Sequence, residues 1–180
     1  VINVIPKRRS VLTWALDTET TLAGLISTAN DGGSGSARSS GSVRGVGWEA
    51  GVTYHDYQAL KVGDAAGLQQ PTAYAGFAGD VRLFVAPAPG QVLSLGYQGY
   101  EDRDVPRTDA VESGRNLRFD FDPQRRQLLD LDWRGGHEGG VLESWRVNVN
   151  VQRWDEGRVE VRPNRPAVER ELYDRVDTWG

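Results

Sequence analysis

The side chains able to do chemistry in this 180-residue sequence are few and scattered. His55 and His137 are the two histidines; neither has a histidine four residues away, and cysteine is absent. A haem or metal ligand role is one reading of His55, and a polar wall or loop residue is the ordinary one; His137, in a glycine-rich turn, reads as solvated. Asp120 with Asp122, and Asp130 with Asp132, put paired carboxylates on one side of an extended chain, the raw material of acid–base catalysis. Nothing in the sequence gathers a pocket around them, so ion pairs with Arg118, Arg126 or Arg146 are their expected use. Glu101, Asp102 and Asp104 cluster at a strand end without the spaced ligands and glycine of a calcium loop, and read as solvated rim charge. There is no GK[ST] phosphate loop, no GxSxG elbow and no HExxH helix. We expect no enzyme, no resident cofactor and no metal centre.

The totals narrow the partners. Net charge is -4, from 21 basic and 25 acidic residues whose signs are interspersed, so no basic face tracks a phosphate backbone and nucleic acid is not expected. Hydrophobic residues make up 38% and glycines number 22, which is lean for a soluble core of this length. No apolar run approaches the roughly 18 residues of a membrane helix, so any encounter with a bilayer would use strands. The sequence opens on Val1, contains no methionine and shows no signal pattern, and the expectation is a segment of a longer polypeptide.

Those scattered groups must be held by strands, because helical periodicity is nearly absent while apolar and polar residues alternate between Gly, Asn, Asp and Pro clusters. The alternation predicts strands over 20–29, 37–44, 46–57, 74–86, 91–103, 116–134 with a break at Pro123, and 143–155, plus a short one over 158–162. The stretch GGSGSARSSGS at 32–42 has the composition of a flexible linker, but its place between strands also suits small residues in a wall or turn. Connections at VRGV, PAPG and GGHEGG are short, whereas 60–72 and 105–115 are long. Short turns at one end and long loops at the other are the pattern of a transmembrane β-barrel.

In SWRVNVNVQRW, Trp145, Val147, Val149, Val151 and Arg153 share one face, and the preceding strand answers with Trp133, Leu131, Leu129, Gln127 and Arg125. The opposite face carries Arg126, Asp130, Asp132, Arg146, Asn148, Asn150 and Gln152, which a dry core holds only if every group is paired. A wet lumen accepts them. Alternation alone does not say which face is inside, and a half-exposed soluble sheet stays open as an alternative.

The opening VINVIPKRR, Val1 to Arg9, resembles the last plug strand of TonB-dependent outer-membrane receptors, an apolar run ending in a basic cluster. LQQPTAYAG at 68–76 and the stretch from GYEDRDVPRTD to FDPQRRQL, within 99–128, look like the early barrel of the same family, including haem or haemoglobin receptor relatives. The resemblance covers most of the chain. It implies an all-β fold: residues 1–9 end the plug and 10–180 open an antiparallel transmembrane barrel, seven or eight strands of about 22. It also implies a bacterial outer-membrane location, lipid and lipopolysaccharide around the wall, TonB acting through parts of the protein outside this segment, and uptake of a scarce small molecule such as a ferric siderophore or haem. Loops on a rigid wall carry recognition, so Gln69, Gln70, Tyr74, Arg103, Arg107 and Thr108 are the candidate contacts to an anionic chelate. A passive porin and a soluble β-sandwich binding module are the competing readings.

Overall fold

The computed structural model describes residues 12–63, 67–136 and 143–180. The expected plug ending, Val1 to Arg9, and His137 lie outside the described residues. The chain runs β1 (Asp17–Ser27), β2 (Gly32–Val43), β3 (Val46–Tyr57), β4 (Leu60–Lys61), β5 (Leu68–Gln69), β6 (Tyr74–Val85), β7 (Gln91–Arg103), β8 (Val105–Pro106), α1 (Thr108–Glu112), β9 (Arg118–Gly135), β10 (Trp145–Arg162) and β11 (Arg165–Trp179). Eight long strands form one antiparallel meander in the order β1-β2-β3-β6-β7-β9-β10-β11, with β8 added beside β9. Sequence neighbours are space neighbours throughout, so each hairpin fixes the register of the next.

Local chemistry explains where the strands stop. Between β2 and β3 only Arg44 and Gly45 intervene, with φ of 51° and 77°. Two positive φ values in a two-residue loop define the hairpin turn whose twist matches the flanking strands. The strand ends flanking 44–45 and 86–90, and those at Gly135 and Trp145, lie at one end of the sheet; those at Tyr57, Tyr74, Arg103 and Arg118, which flank the long loops, lie at the other. The tight turn at 163–164 shares the long-loop end.

Among the eight long strands, four differ from expectation by more than their end residues. The Gly/Ser stretch is strand β2 along its whole length, because its small residues make room for a neighbour: the Trp48 ring occupies the space a Cβ on Gly41 would need, and its indole N–H donates to Ser39 Oγ at 3.3 Å. Strand β9 passes through Pro123 without ending. The ladder shifts register there, setting Gly157 of β10 against Asp122 and Pro123, where a Cβ on Gly157 would collide with the Asp122 carbonyl. Strand β10 is continuous to Arg162 rather than broken after Asp155, and β11 was not expected at all.

Burial in this sheet is inverted. Among the described residues the buried apolar ones are Phe84 and Ala110, whereas Ser42, Ser94, Asn116, Asp120, Asp130, Asp132, Asp155 and Glu160 are buried. Val46, Val52, Tyr54, Phe77, Val81, Leu83, Leu95, Leu129, Leu131, Trp133, Val147 and Val149 are exposed, and the register puts all of them on one face. An apolar field this wide is foreign to a soluble monomer and is what a transmembrane barrel turns to hydrocarbon.

The upper limit of that field also slides. Ile26 ends it on β1 and aligns through β2 with Asp56; Trp179 ends it on β11 and aligns through Val151, Leu129, Tyr97 and Val81 with Ala50. The drop is six positions along β3, about 20 Å at about 3.3 Å per residue, over seven strand steps of about 4.8 Å. A flat apolar band across this register requires strands tilted by about 30°, near the roughly 35–45° of membrane barrels. From Val46 to Tyr54 the band is then about 23 Å tall, against about 25 Å of hydrocarbon-facing surface in such barrels. The sheet is a sector of an antiparallel β-barrel wall, open at β1 and β11 among the described residues.

Candidate functional site

The polar face is organised by three repeats of one device. Arg38, Gly51 and Asp80 align across β2, β3 and β6, and the guanidinium reaches over the glycine to the carboxylate at 3.0 Å. Arg82, Gly96 and Asp130 align across β6, β7 and β9, with Nη1 and Nη2 donating to the two Asp130 oxygens at 2.9 and 2.6 Å. His55, Gly76 and Asp102 align across β3, β6 and β7. Each glycine removes the side chain over which the pair must pass. A Cβ on Gly51 would lie 2.9 Å from Asp80 Oδ1, one on Gly96 2.5 Å from Asp130 Oδ1, and one on Gly76 would overlap Asp102 and His55. Side chains two strands apart thereby become contacts.

His55 is the least satisfied member. Its Nε2 lies 3.2 Å from Asp102 Oδ1 but out of line for a hydrogen bond. Its ring stacks on Tyr57 at 5.6 Å and meets Tyr74 edge-on at 5.4 Å, an aromatic cluster at the long-loop end of the polar face. Among the described residues no three His, Asp or Glu side chains are grouped to hold a metal ion.

The expected ion pairs form in part. Asp132 is buried beside Arg146 at 2.5 Å, and Asp120 pairs with Arg118. The partner of Asp130 is Arg82, which sequence reasoning did not name, and Arg126 donates instead from Nε and Nη2 to the neutral Gln152 Oε1, at 3.0 and 2.7 Å.

The six candidate contacts sit where the two long loops dock on each other. Gln69 Nε2 donates to Glu112 Oε1 at 2.9 Å, and the Thr108 hydroxyl donates to the Pro71 carbonyl at 2.7 Å, so the 58–73 and 104–117 loops are cross-tied through two of the six. Gln70 precedes Pro71 in the same loop, and Tyr74 belongs to the His55 cluster. Arg103 donates to Glu101 at 2.6 Å. Arg107 donates to Asp109 at 3.1 Å and lies 5.4 Å over the Phe119 ring. The Arg107 hydrogen bond holds the Asp109 carboxyl below its usual range. Sequence reasoning placed all six at one end of the sheet; it did not foresee β4, β5 and α1, the short elements that shape these loops.

Two hollows back onto each other in the middle of the wall. The one on the polar face has a volume of about 290 Å³, with Ser36, Thr53 and Ala78 as its floor and Arg38, Asp80, Gln98, Tyr100 and Arg126 around it. The one on the apolar face, about 330 Å³, lies beside Phe77, Val81, Tyr97 and Gln127. Gly79 and Gly99, paired in register, line both.

A copper transporter, OprC, has the same arrangement of strands: the structures align with a TM-score of 0.68 at 17% identity, over 96% of this chain and 25% of that chain. No protein-family model matches the sequence, and no curated protein matches it. At this identity the likeness is one of fold, and the chain spans a quarter of its neighbour's length. Wall register, inverted burial and this neighbour agree on the class: part of a large antiparallel β-barrel.

Proposed function

We propose that this chain is a wall sector of an active-transport receptor in a bacterial outer membrane, coupled to TonB and importing a scarce ligand such as a ferric siderophore or haem. In this reading residues 1–9 end the plug, 10–180 begin the barrel, and lipid with lipopolysaccharide surrounds the apolar face. The observation that carries the membrane part is the inverted burial, with Asp130 and Asp132 covered and Val147 and Val149 each 52% exposed. Energy coupling is supported by the resemblance of VINVIPKRR to a plug ending and by a fold shared with a copper transporter. Gln69, Gln70, Tyr74, Arg103, Arg107 and Thr108 would meet the ligand from the docked loops, where Gln70 and the two guanidinium edges supply donors for an anionic chelate.

The test is uptake by cells expressing the full-length parent protein, with and without TonB, fed a labelled ferric siderophore, haemin or a copper salt in turn. Uptake of one of these that stops without TonB is the expected result. Uptake that continues at the same rate without TonB identifies a passive pore, and recovery of the protein in the soluble fraction removes the membrane reading altogether.

A further inference from the structure

We infer that the hollow on the polar face is a binding subsite for a single oxyanion group, a carboxylate or its like, seated on Arg126. The inference rests on the proposal that this face lines a lumen. Four observations converge on it.

First, the hollow is framed by strand register. Ser36, Thr53, Ala78, Tyr100 and Arg126 align across β2, β3, β6, β7 and β9, and three consecutive small side chains leave a floor with nothing standing on it. The Arg38–Asp80 pair borders it two residues down each strand, the next position on the same face, and the His55–Asp102 pair two residues up. Second, Arg126 is the one guanidinium of the lining without a carboxylate within ion-pair distance among the described residues. Its hydrogen bonds go to the uncharged Gln152, which orients the group and leaves its charge uncompensated. Third, the lining carries two cations, Arg38 and Arg126, against one anion, Asp80, in a chain whose net charge is -4. A net positive hollow in an acidic protein favours an anion by sign alone. Fourth, the uncharged polar side chains of the lining, Ser36, Thr53, Gln98 and Tyr100, all carry donors beside apolar neighbours such as Ala78 and Leu128, and a guanidinium edge beside several donors fits the planar oxygens of a carboxylate. At about 290 Å³ the hollow is at the small end of ligand pockets, sized for one such group and its immediate substituents rather than a whole chelate.

The oxyanion has two conceivable sources with the same chemistry: a solute passing along the wall, or a carboxylate side chain from another part of the full-length protein that enters the lumen. The experiment separates them. Full-length protein in detergent is treated with the arginine reagent phenylglyoxal, with and without citrate as the probe anion, and modification of Arg126 is followed by peptide mass spectrometry. In parallel the guanidinium unfolding midpoint is compared between wild type and Arg126→Gln. A free-solute site gives an Arg126 that reacts readily alone and at least tenfold more slowly in saturating citrate, while Asn148→Asp, on the same face outside the hollow, leaves that protection intact. An internal carboxylate gives an Arg126 indifferent to citrate and a midpoint that falls in Arg126→Gln. Indifference to citrate together with an unmoved midpoint overturns the inference. Fractionation of the same preparation keeps this separate from the transport reading: a protein found in the outer membrane whose Arg126 fails both arms refutes the subsite alone.

Discussion

If glycine is what allows charges two strands apart to meet, then adding one methyl group on the polar face must cost as an ion-pair lesion costs. The Arg82–Asp130 pair is the sharpest place to ask, being bidentate with side chains only 14% and 12% exposed. Arg82→Ala leaves a covered carboxylate without its cation; breaking a buried pair this way costs about 3–5 kcal/mol, and the residual exposure puts the expectation at about 3. In Gly96→Ala the new Cβ would lie 2.5 Å from Asp130 Oδ1 and 2.8 Å from Arg82 Nη2. Both are ends of flexible side chains, so the pair splays without leaving the site, and about 1.5 kcal/mol is expected from weakened charged hydrogen bonds. Gly79→Ala is the control, since its Cβ meets nothing closer than 3.6 Å, and it should stay within about 0.5 kcal/mol of wild type. The assay is guanidinium unfolding of the full-length protein in micelles, followed by tryptophan fluorescence. Coupling supplies the decisive result: in an Arg82→Ala background the cost of Gly96→Ala should vanish. A Gly96→Ala variant no weaker than Gly79→Ala, or a cost that persists without Arg82, refutes the bridging role.

Three further outcomes follow from the same structure. Val149→Lys, in the middle of the apolar band, should lower barrel stability by about 2–4 kcal/mol and deplete the protein from outer membranes, while Asn148→Lys, one residue along on the polar face, should assemble normally; equal yields would contradict the facing. Gly157→Ala should loosen the upper halves of β9 and β10, seen as faster protease cleavage there, because the Asp122 carbonyl occupies the space of the new methyl. Glu160, beyond the band, is held below its ordinary value of 4.5 by hydrogen bonds from Arg162 and Asn116. Its stabilising contribution is therefore complete above that ordinary value and is lost as pH falls through the lower folded one. Glu160→Gln should lower protease resistance at the long-loop end at pH 7, and the gap to wild type should close in acid.

The parts of the fold legible in the sequence were those set by local rules. Strands β3 and β7 fall on the expected residues, because their apolar rows end in Tyr54 and Tyr97 and turn chemistry marks the short-turn end of each. The composition of strand β2 suits linker and wall equally, since it reports the bulk of its neighbour Trp48 and not its own propensity. Strand β11 escaped notice because Val168, Leu172 and Val176 recur every fourth residue while both faces between them are charged, the consequence of lying mostly above the apolar band. The pairing of Asp130 with Arg82 spans 48 residues and depends on the cumulative register of β6, β7 and β9. Its signal was present as Gly96 in an otherwise polar row, since a strand-interior glycine marks close approach by something else. The six loop residues were legible as an end of the sheet; their cross-ties depend on the fold of two separate loops.

At the paired Gly79 and Gly99 neither strand contributes a side chain of its own, and on the apolar face only the flanking Tyr97 and Phe77 rings lie over the bare peptide. A curved shell bends where it is thinnest, and glycine adds backbone freedom at the same spot. Where the apolar face meets hydrocarbon as proposed, this seam is the part of the wall with the least side-chain mass to resist bending.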